Sequence, residues 1–263
     1  MATELRFGSI FTGIGGFDLG FQDAGWECAW QVESNRLKQK LLKSKFKDVT
    51  LYDDVRNFDP SRVNAIVGGD PCPKHSRARS NGDSNHPDLS GYFLALAGRL
   101  RPRWLVRENV PAPTVKWFEC ALAHLGYGTC IVRLDASQVT GQSRVRTFVI
   151  GDNQVSKETL RTKFSDGSNG PWSYSSVLGT RQVTPALTAH RTRYDSRDCY
   201  IWHESTGLRI LDSEERESLA GFPRGWTAGF SPATRARMLG ESVVPALCEW
   251  IARKLSQPTG KGE

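Results

Sequence analysis

Along the first 151 residues, short apolar runs alternate with amphipathic segments. Runs at 5–11, 27–32, 65–68, 104–107, 129–134 and 147–150 predict strands, and segments at 16–24, 35–45, 91–100 and 115–125 predict helices. Strand–helix alternation of this kind predicts an α/β fold, Rossmann-like, with a mostly parallel sheet covered by helices on both faces. Residues 152–183 break the pattern. They are rich in Ser, Gly, Thr and Lys, with Trp172 and Tyr174 embedded, and read as a surface insertion. An irregular stretch runs on to about residue 209. Helices are then predicted at 213–220 and 232–238, and an amphipathic helix at 243–255 closes the chain. No internal repeat or low-complexity tract interrupts this order.

The chain has 263 residues, 38% apolar and 24% charged, enough for one large domain with a real core. No run approaches the roughly 18 apolar residues that a membrane-spanning helix needs. The first eleven residues lack the basic and apolar blocks of a secretory signal, so no membrane association is expected. Lys and Arg number 35 against 28 Asp and Glu, a net charge of +7, which points to a polyanionic partner. The six cysteines form no C-x-x-C pair and no metal-ligand spacing. No metal and no disulfide framework is expected, and the compartment is expected to be reducing.

Four motifs carry candidate chemistry. The first, Phe11-Thr12-Gly13-Ile14-Gly15-Gly16, joins an apolar strand to a helix. Its glycines allow a tight turn and let a ligand approach the helix N-terminus. Glu33 follows Gly13 by twenty residues at the end of the next strand, where an acid grips ribose hydroxyls in nucleotide-binding α/β folds. Asp54-Val55 stands where it could reach an adenine, or equally as a surface acid near a turn. The second motif, Gly68-Gly69-Asp70-Pro71-Cys72-Pro73, presents a cysteine between two prolines after a strand. A cysteine at the carboxyl end of such a strand is a candidate nucleophile. A polar loop with Arg77, Arg79 and Ser84 follows it. The third, Arg107-Glu108-Asn109-Val110, and the fourth, Gln142-Ser143-Arg144-Val145-Arg146, add a carboxylate and arginines at strand ends, a plausible acid and oxyanion set.

Together and in order, these motifs closely resemble the cytosine-5 DNA methyltransferase family. Thr184-Pro185-Ala186-Leu187-Thr188, Leu219-Ala220-Gly221-Phe222-Pro223 and Gly240-Glu241-Ser242-Val243-Val244-Pro245 resemble that family's later blocks. The resemblance implies S-adenosylmethionine as cofactor and double-stranded DNA as partner. It also implies base flipping, because the reacting ring edge is inaccessible inside a stacked duplex. It makes Cys72 the thiolate that adds to cytosine C6, Glu108 the group that binds N3 and the exocyclic amine, and Arg144, with Arg146, the cation on the O2 side. Phe11, Thr12, Gly13, Gly15, Gly16, Glu33, Asp54, Val55, Asp70, Pro71, Glu241, Ser242 and Val243 would line the cofactor pocket. Arg77, Arg79, Ser84 and Gln142 would contact DNA.

The resemblance further implies a catalytic domain of 1–151 and 240–263, with a small target-recognition region at 152–239. A monomer acting in the cytoplasm of a bacterium or phage-infected cell is expected. The chain departs from the family at three places. Asp70 replaces the usual proline, Pro73 and His75 replace the residues that follow the cysteine, and Glu241 replaces the usual asparagine. Asp70 and Glu241 leave two readings open. Either both acids point to solvent or pair with a local Arg and ordinary S-adenosylmethionine binds, or their charge favours a modified donor lacking the α-carboxylate. A transfer-RNA cytosine methyltransferase, a catalytically dead DNA-binding relative and a nicotinamide-dependent dehydrogenase are the competing functions. The last two leave the set of Cys72, Glu108 and Arg144 unexplained.

Overall fold

A computed structural model describes residues 4–70, 89–165, 184, 186–187 and 200–258. Seven strands form one sheet: β1 (Arg6–Ile10), β2 (Glu27–Val32), β3 (Thr50–Tyr52), β4 (Ala65–Gly68), β5 (Trp104–Asn109), β6 (Gly128–Asp135) and β7 (Val145–Asp152). Their order is β3-β2-β1-β4-β5-β7-β6. The first five are parallel, and β7 inserts antiparallel between β5 and β6. The predicted mostly parallel α/β sheet is therefore present. The order reverses at β1 and β4, so their carboxyl ends open the crevice in which such folds bind ligands. Of these seven strands only β3 escapes prediction, since three residues are too short to show alternation.

Helices α1 (Gly16–Asp23), α2 (Arg36–Lys45), α3 (Ser90–Leu100), α4 (Pro113–His124) and α5 (Lys157–Ser165) follow β1, β2, β4, β5 and β7, and α6 (Ser213–Leu219), α7 (Pro232–Glu241) and α8 (Pro245–Ser256) end the fold. On one sheet face, Phe17 and Phe21 of α1, Leu160 of α5 and Leu247 and Ile251 of α8 form a core with Phe7, Val67, Val106 and Phe148. On the other, Phe93 and Phe118 of α3 and α4 cover Ile10, Ile66 and Leu105. A third cluster joins Leu41 and Leu42 of α2 to Phe222, Trp226 and Met238 of the α6–α7 segment.

Two parts of the irregular reading are corrected. Residues Lys157–Ser165 form α5, not a surface insertion: Leu160 is fully buried, the Phe164 ring lies 5.7 Å from Trp250, and Lys163 Nζ donates to the carbonyl oxygens of Leu255 and Gln257. The helix is hidden in the sequence because its polar residues are the solvent face of a two-turn segment with only two buried positions. Strands β8 (Tyr200–His203) and β9 (Gly207–Ile210) form a separate antiparallel hairpin where the sequence predicts no regular structure.

Helix α1 carries a buried acid. Asp18 accepts hydrogen bonds from Gln31 Nε2 (2.8 Å), Ser9 Oγ (3.1 Å) and Cys28 Sγ (3.4 Å). Burial outweighs these bonds and pushes its carboxyl up to about 6. The same burial, reinforced by the Asp18 charge, pushes the Cys28 thiol up. A carboxyl raised in the folded state binds its proton more tightly there than in the unfolded chain. Its ionisation therefore lowers stability as pH rises from about 4 to about 6. Asp18→Asn should remove that slope, which amounts to roughly 3 kcal/mol if the shift is fully expressed. Urea denaturation at a series of pH values measures it, and equal slopes in both proteins would contradict the assignment.

Candidate active site at the carboxyl ends of the strands

The loop after β1 is shaped by left-handed backbone. Gly13 (φ 64) and Gly15 (φ 84) adopt it readily, and Phe11 adopts it at φ 53 despite its side chain. Thr12 fastens the loop to β2: its Oγ1 donates to the Val32 and Ser9 carbonyls and accepts from Val32 N. Gly16 has a different task. A Cβ there would sit 2.5 Å from the Val243 carbonyl oxygen, so only glycine lets α1 begin against the α7–α8 link. This brings Ser242 and Val243 beside the glycine loop, far from it in sequence.

Glu33 closes the loop from β2. Its carboxylate accepts from the amides of Gly13 and Asn35, both at 2.8 Å. Each oxygen keeps a second lone pair for a hydroxyl. Asp54 instead turns to Arg56 in a 2.6 Å ion pair, and hydrogen bonds from Arg56 hold its carboxyl down at about 2. Val55 packs at the edge of the α3–α4 core. The N-terminus of α1 has no side-chain cap, leaving its first amides open to a ligand.

Successive residues at the tip of β5 point to opposite faces of the sheet. Arg107 points towards α4, with its guanidinium 4.4 Å from the Phe118 ring centre. It donates to both oxygens of Asp70, at 2.5 and 2.8 Å, and both side chains are buried. Glu108 points the other way and pairs with Arg146 Nε at 2.8 Å. The Glu108 carboxylate also occupies the space beside Gly69, where a Cβ would lie 2.9 Å from it. Glu108 thus stands against the backbone that leads to Cys72. Pro71, Cys72, Pro73, His75, Arg77, Arg79 and Ser84 lie outside the described residues.

Several expectations change in this geometry. Arg144 feels the Glu108 charge but gives its hydrogen bonds elsewhere. Its Nη2 donates to the carbonyl oxygens of Gly240 (2.9 Å) and Ser242 (2.8 Å), and Asp135 accepts from its backbone amide. Burial, with the like charge of Arg146, pushes Arg144 down to about 9, so it remains charged at neutral pH. Arg146 is the arginine at the carboxylate. The two lie on one sheet face, and their common residue type conceals that one ends in the fold and the other in the crevice. Gln142, expected at DNA, is 1% exposed. Its Nε2 donates to Leu219 O and its Oε1 accepts from Leu187 N, so it braces three segments.

Both acids have basic partners: Asp70 has Arg107, and Glu241 has Lys38 at 2.9 Å. The Asp70–Arg107 pair is not anticipated by the sequence reading. Its signal is a lone acid and a lone base at facing strand ends where apolar residues are usual. Among the described residues no cluster of His, Cys, Asp and Glu could hold a metal ion, and no helix is long and apolar enough to cross a membrane.

The fold and its charged crevice define an α/β enzyme with a nucleotide-type cofactor cradle. The sequence profile of the C-5 cytosine-specific DNA methylase family matches residues 5–178 and 152–257, and the chain belongs to that family. Type II methyltransferase M.HgiDI of Herpetosiphon aurantiacus is 31% identical, over 94% of this chain and 92% of the relative. Type II methyltransferase M.HindV of Haemophilus influenzae is 24% identical, over 92% and 93%. Among solved structures, a DNMT2 mutant of Spodoptera frugiperda superimposes with a TM-score of 0.72 at 15% identity, over 97% of this chain and 100% of that one. A putative DNA modification methyltransferase encoded within an E. coli prophage does so at 0.68 and 18% identity, over 96% and 98%. At these identities the structural likeness establishes the fold alone. The family membership makes the chain an enzyme that methylates DNA cytosine at C5.

The two arginines should separate experimentally. Arg144→Met strands two buried carbonyls and should cost roughly 2–5 kcal/mol of stability. Arg146→Met breaks a partly exposed pair and should cost about 1 kcal/mol or less. Thermal melts of both variants check this, and equal losses would contradict the division of roles.

Proposed function

We propose that this enzyme transfers a methyl group from S-adenosylmethionine to cytosine C5 in double-stranded DNA, with Cys72 as nucleophile and Glu108 and Arg146 as the groups that hold the flipped base. The observation that carries the reading is the Glu108–Arg146 pair beside Gly69, two strand ends away from one another in sequence yet 2.8 Å apart. S-adenosylmethionine would be held by Phe11, Thr12, Gly13, Gly15 and Gly16, by Glu33 and Val55, and by the backbone around Ser242 and Val243. The open amides of α1 suit its carboxylate and the free lone pairs of Glu33 suit its ribose hydroxyls. When bound, it supplies the electrophilic methyl group.

The chain's own groups account for the rest. Cytosine is a poor carbon nucleophile until a thiolate adds to C6. Glu108 would hydrogen-bond N3 and the exocyclic amine, favouring addition, while Arg146 would meet the negative charge that builds on O2. Loss of the C5 proton and expulsion of Cys72 then restore the aromatic ring. Asp70 would otherwise disfavour a thiolate two residues away, and Arg107 offsets its charge. The neutralisation of Asp70 and Glu241 by Arg107 and Lys38 favours ordinary S-adenosylmethionine over a modified donor.

The catalytic domain would comprise 1–165 and 240–263, carried beyond residue 151 by the packing of α5, with the target-recognition region at 166–239. Arg77, Arg79 and Ser84 would contact the DNA backbone. A monomer in a bacterial or phage-infected cytoplasm fits the family's occurrence. The curated relatives that cover nearly all of this chain are Type II methyltransferases, which favours DNA over transfer RNA.

A duplex containing 5-fluorocytosine, which cannot lose its C5 substituent, should trap a covalent adduct in the presence of S-adenosylmethionine. Cys72→Ala should abolish both adduct and turnover, and Glu108→Gln should lower turnover by roughly two orders of magnitude or more. Transfer RNA assayed in parallel should remain unmodified. Turnover surviving in Cys72→Ala would overturn the mechanism.

A further inference from the structure

Helix α2 has a composition that its packing does not require. Residues 36–47 contain six basic side chains, Arg36, Lys38, Lys40, Lys43, Lys45 and Lys47, and no acid. The buried side of the helix is Leu41 and Leu42, set against the α6–α7 segment. Lys38 turns to Glu241, and the Lys45 ammonium lies 4.8 Å from the Trp226 ring centre. Of the other four, Arg36, Lys40 and Lys43 are spaced four and three apart in the helix, which puts them in one stripe on the side away from Leu41 and Leu42, and Lys47 follows two residues beyond its end. All four are exposed, and none is in an ion pair with a described residue. Lys40 has only a distant aromatic neighbour, its ammonium 5.9 Å from the Phe230 ring centre.

This arrangement works against the helix that carries it. Like charges at these spacings repel, and Arg36 stands at the positive end of the helix dipole. A face selected only for solvation interleaves acids at the same spacings. The acids that flank it in sequence are Glu33, which binds the amides of Gly13 and Asn35, and Asp48, immediately beyond the stripe. The helix is about 15 Å long, and over that length a DNA duplex presents roughly nine phosphates.

We propose that the stripe Arg36, Lys40, Lys43 and Lys47 grips the sugar–phosphate backbone of double-stranded DNA outside the base being modified. It is a docking surface for the duplex that touches neither the cofactor cradle nor the Glu108 site. The proposal rests on the DNA substrate of the reading above. Its chemistry is positional and carries no sequence information, since phosphate contacts orient a protein on DNA while base contacts specify.

The test replaces Arg36, Lys40, Lys43 and Lys47 together by Gln and compares the variant with the wild type and with a control, Arg62→Gln/Arg133→Gln/Arg161→Gln, that removes scattered surface charge. Because repulsion is removed, the melting temperature of the stripe variant should not fall. Affinity for a long duplex should drop about ten-fold or more at moderate salt, and the slope of log affinity against log salt should become shallower by roughly one for each phosphate that the protein no longer neutralises. Turnover on a saturating short duplex should be unchanged, and the control should keep most of the wild-type slope. An unchanged slope in the stripe variant, or an equal loss in the control, would overturn the proposal while leaving the methyltransferase reading intact. A wild type that fails to bind duplex DNA at all would overturn both.

Discussion

At the tip of β5 two adjacent residues of opposite charge diverge, and each meets its counter-ion on a different face of the sheet. Arg107 binds Asp70 at the end of β4, and Glu108 binds Arg146 on β7. The strand's alternation makes this possible without the two pairs competing. Three neighbouring strand ends are thereby fixed relative to one another by bonds that have direction, unlike the apolar core beneath them. A buried ion pair such as Asp70–Arg107 contributes little net stability after desolvation, and breaking one partner is costly. Its value here is registration: it fixes Asp70, two residues beyond the end of β4, to the strand that carries Glu108.

A second set of polar braces brings the C-terminal third of the chain to the same crevice. Arg144 holds the carbonyls of Gly240 and Ser242, Gln142 holds Leu219 and Leu187, and Asp135 holds the backbone of Arg144. Trp226 adds a bond from its indole nitrogen to the Ile14 carbonyl inside the glycine loop. Gly16 then permits the contact with Val243 that these braces aim. Residues separated by more than two hundred positions thus meet at one crevice, and most of the polar side chains in the fourth motif bond within that assembly.

The strands and helices of the α/β sheet are legible in the sequence because each buries one regular stripe or run, and the glycine loop and Glu33 are legible because their spacing is a property of the strand–turn–helix unit. Helix α5 is hidden by its short apolar stripe, and β3 by its length. The division of labour between Arg144 and Arg146 cannot be read from sequence at all. Two arginines two residues apart share a sheet face, and only the closing C-terminal segment decides which of them it covers. The same holds for Gln142, whose amide looks identical whether it faces a groove of DNA or the backbone of Leu187 and Leu219. The partners of Asp70 and Glu241 are foreseeable only as a class, since an acid in a crevice needs a nearby cation but the sequence does not say which.

The central claim is that Glu108 and Arg146 act on the base as one unit. A double-mutant cycle on the methyl-transfer rate, using Glu108→Gln, Arg146→Met and the pair, tests it most directly. Groups that act together are strongly non-additive, so the double variant should be little slower than the slower single variant. Penalties that multiply in full would mean that the two residues work independently, and would contradict the account.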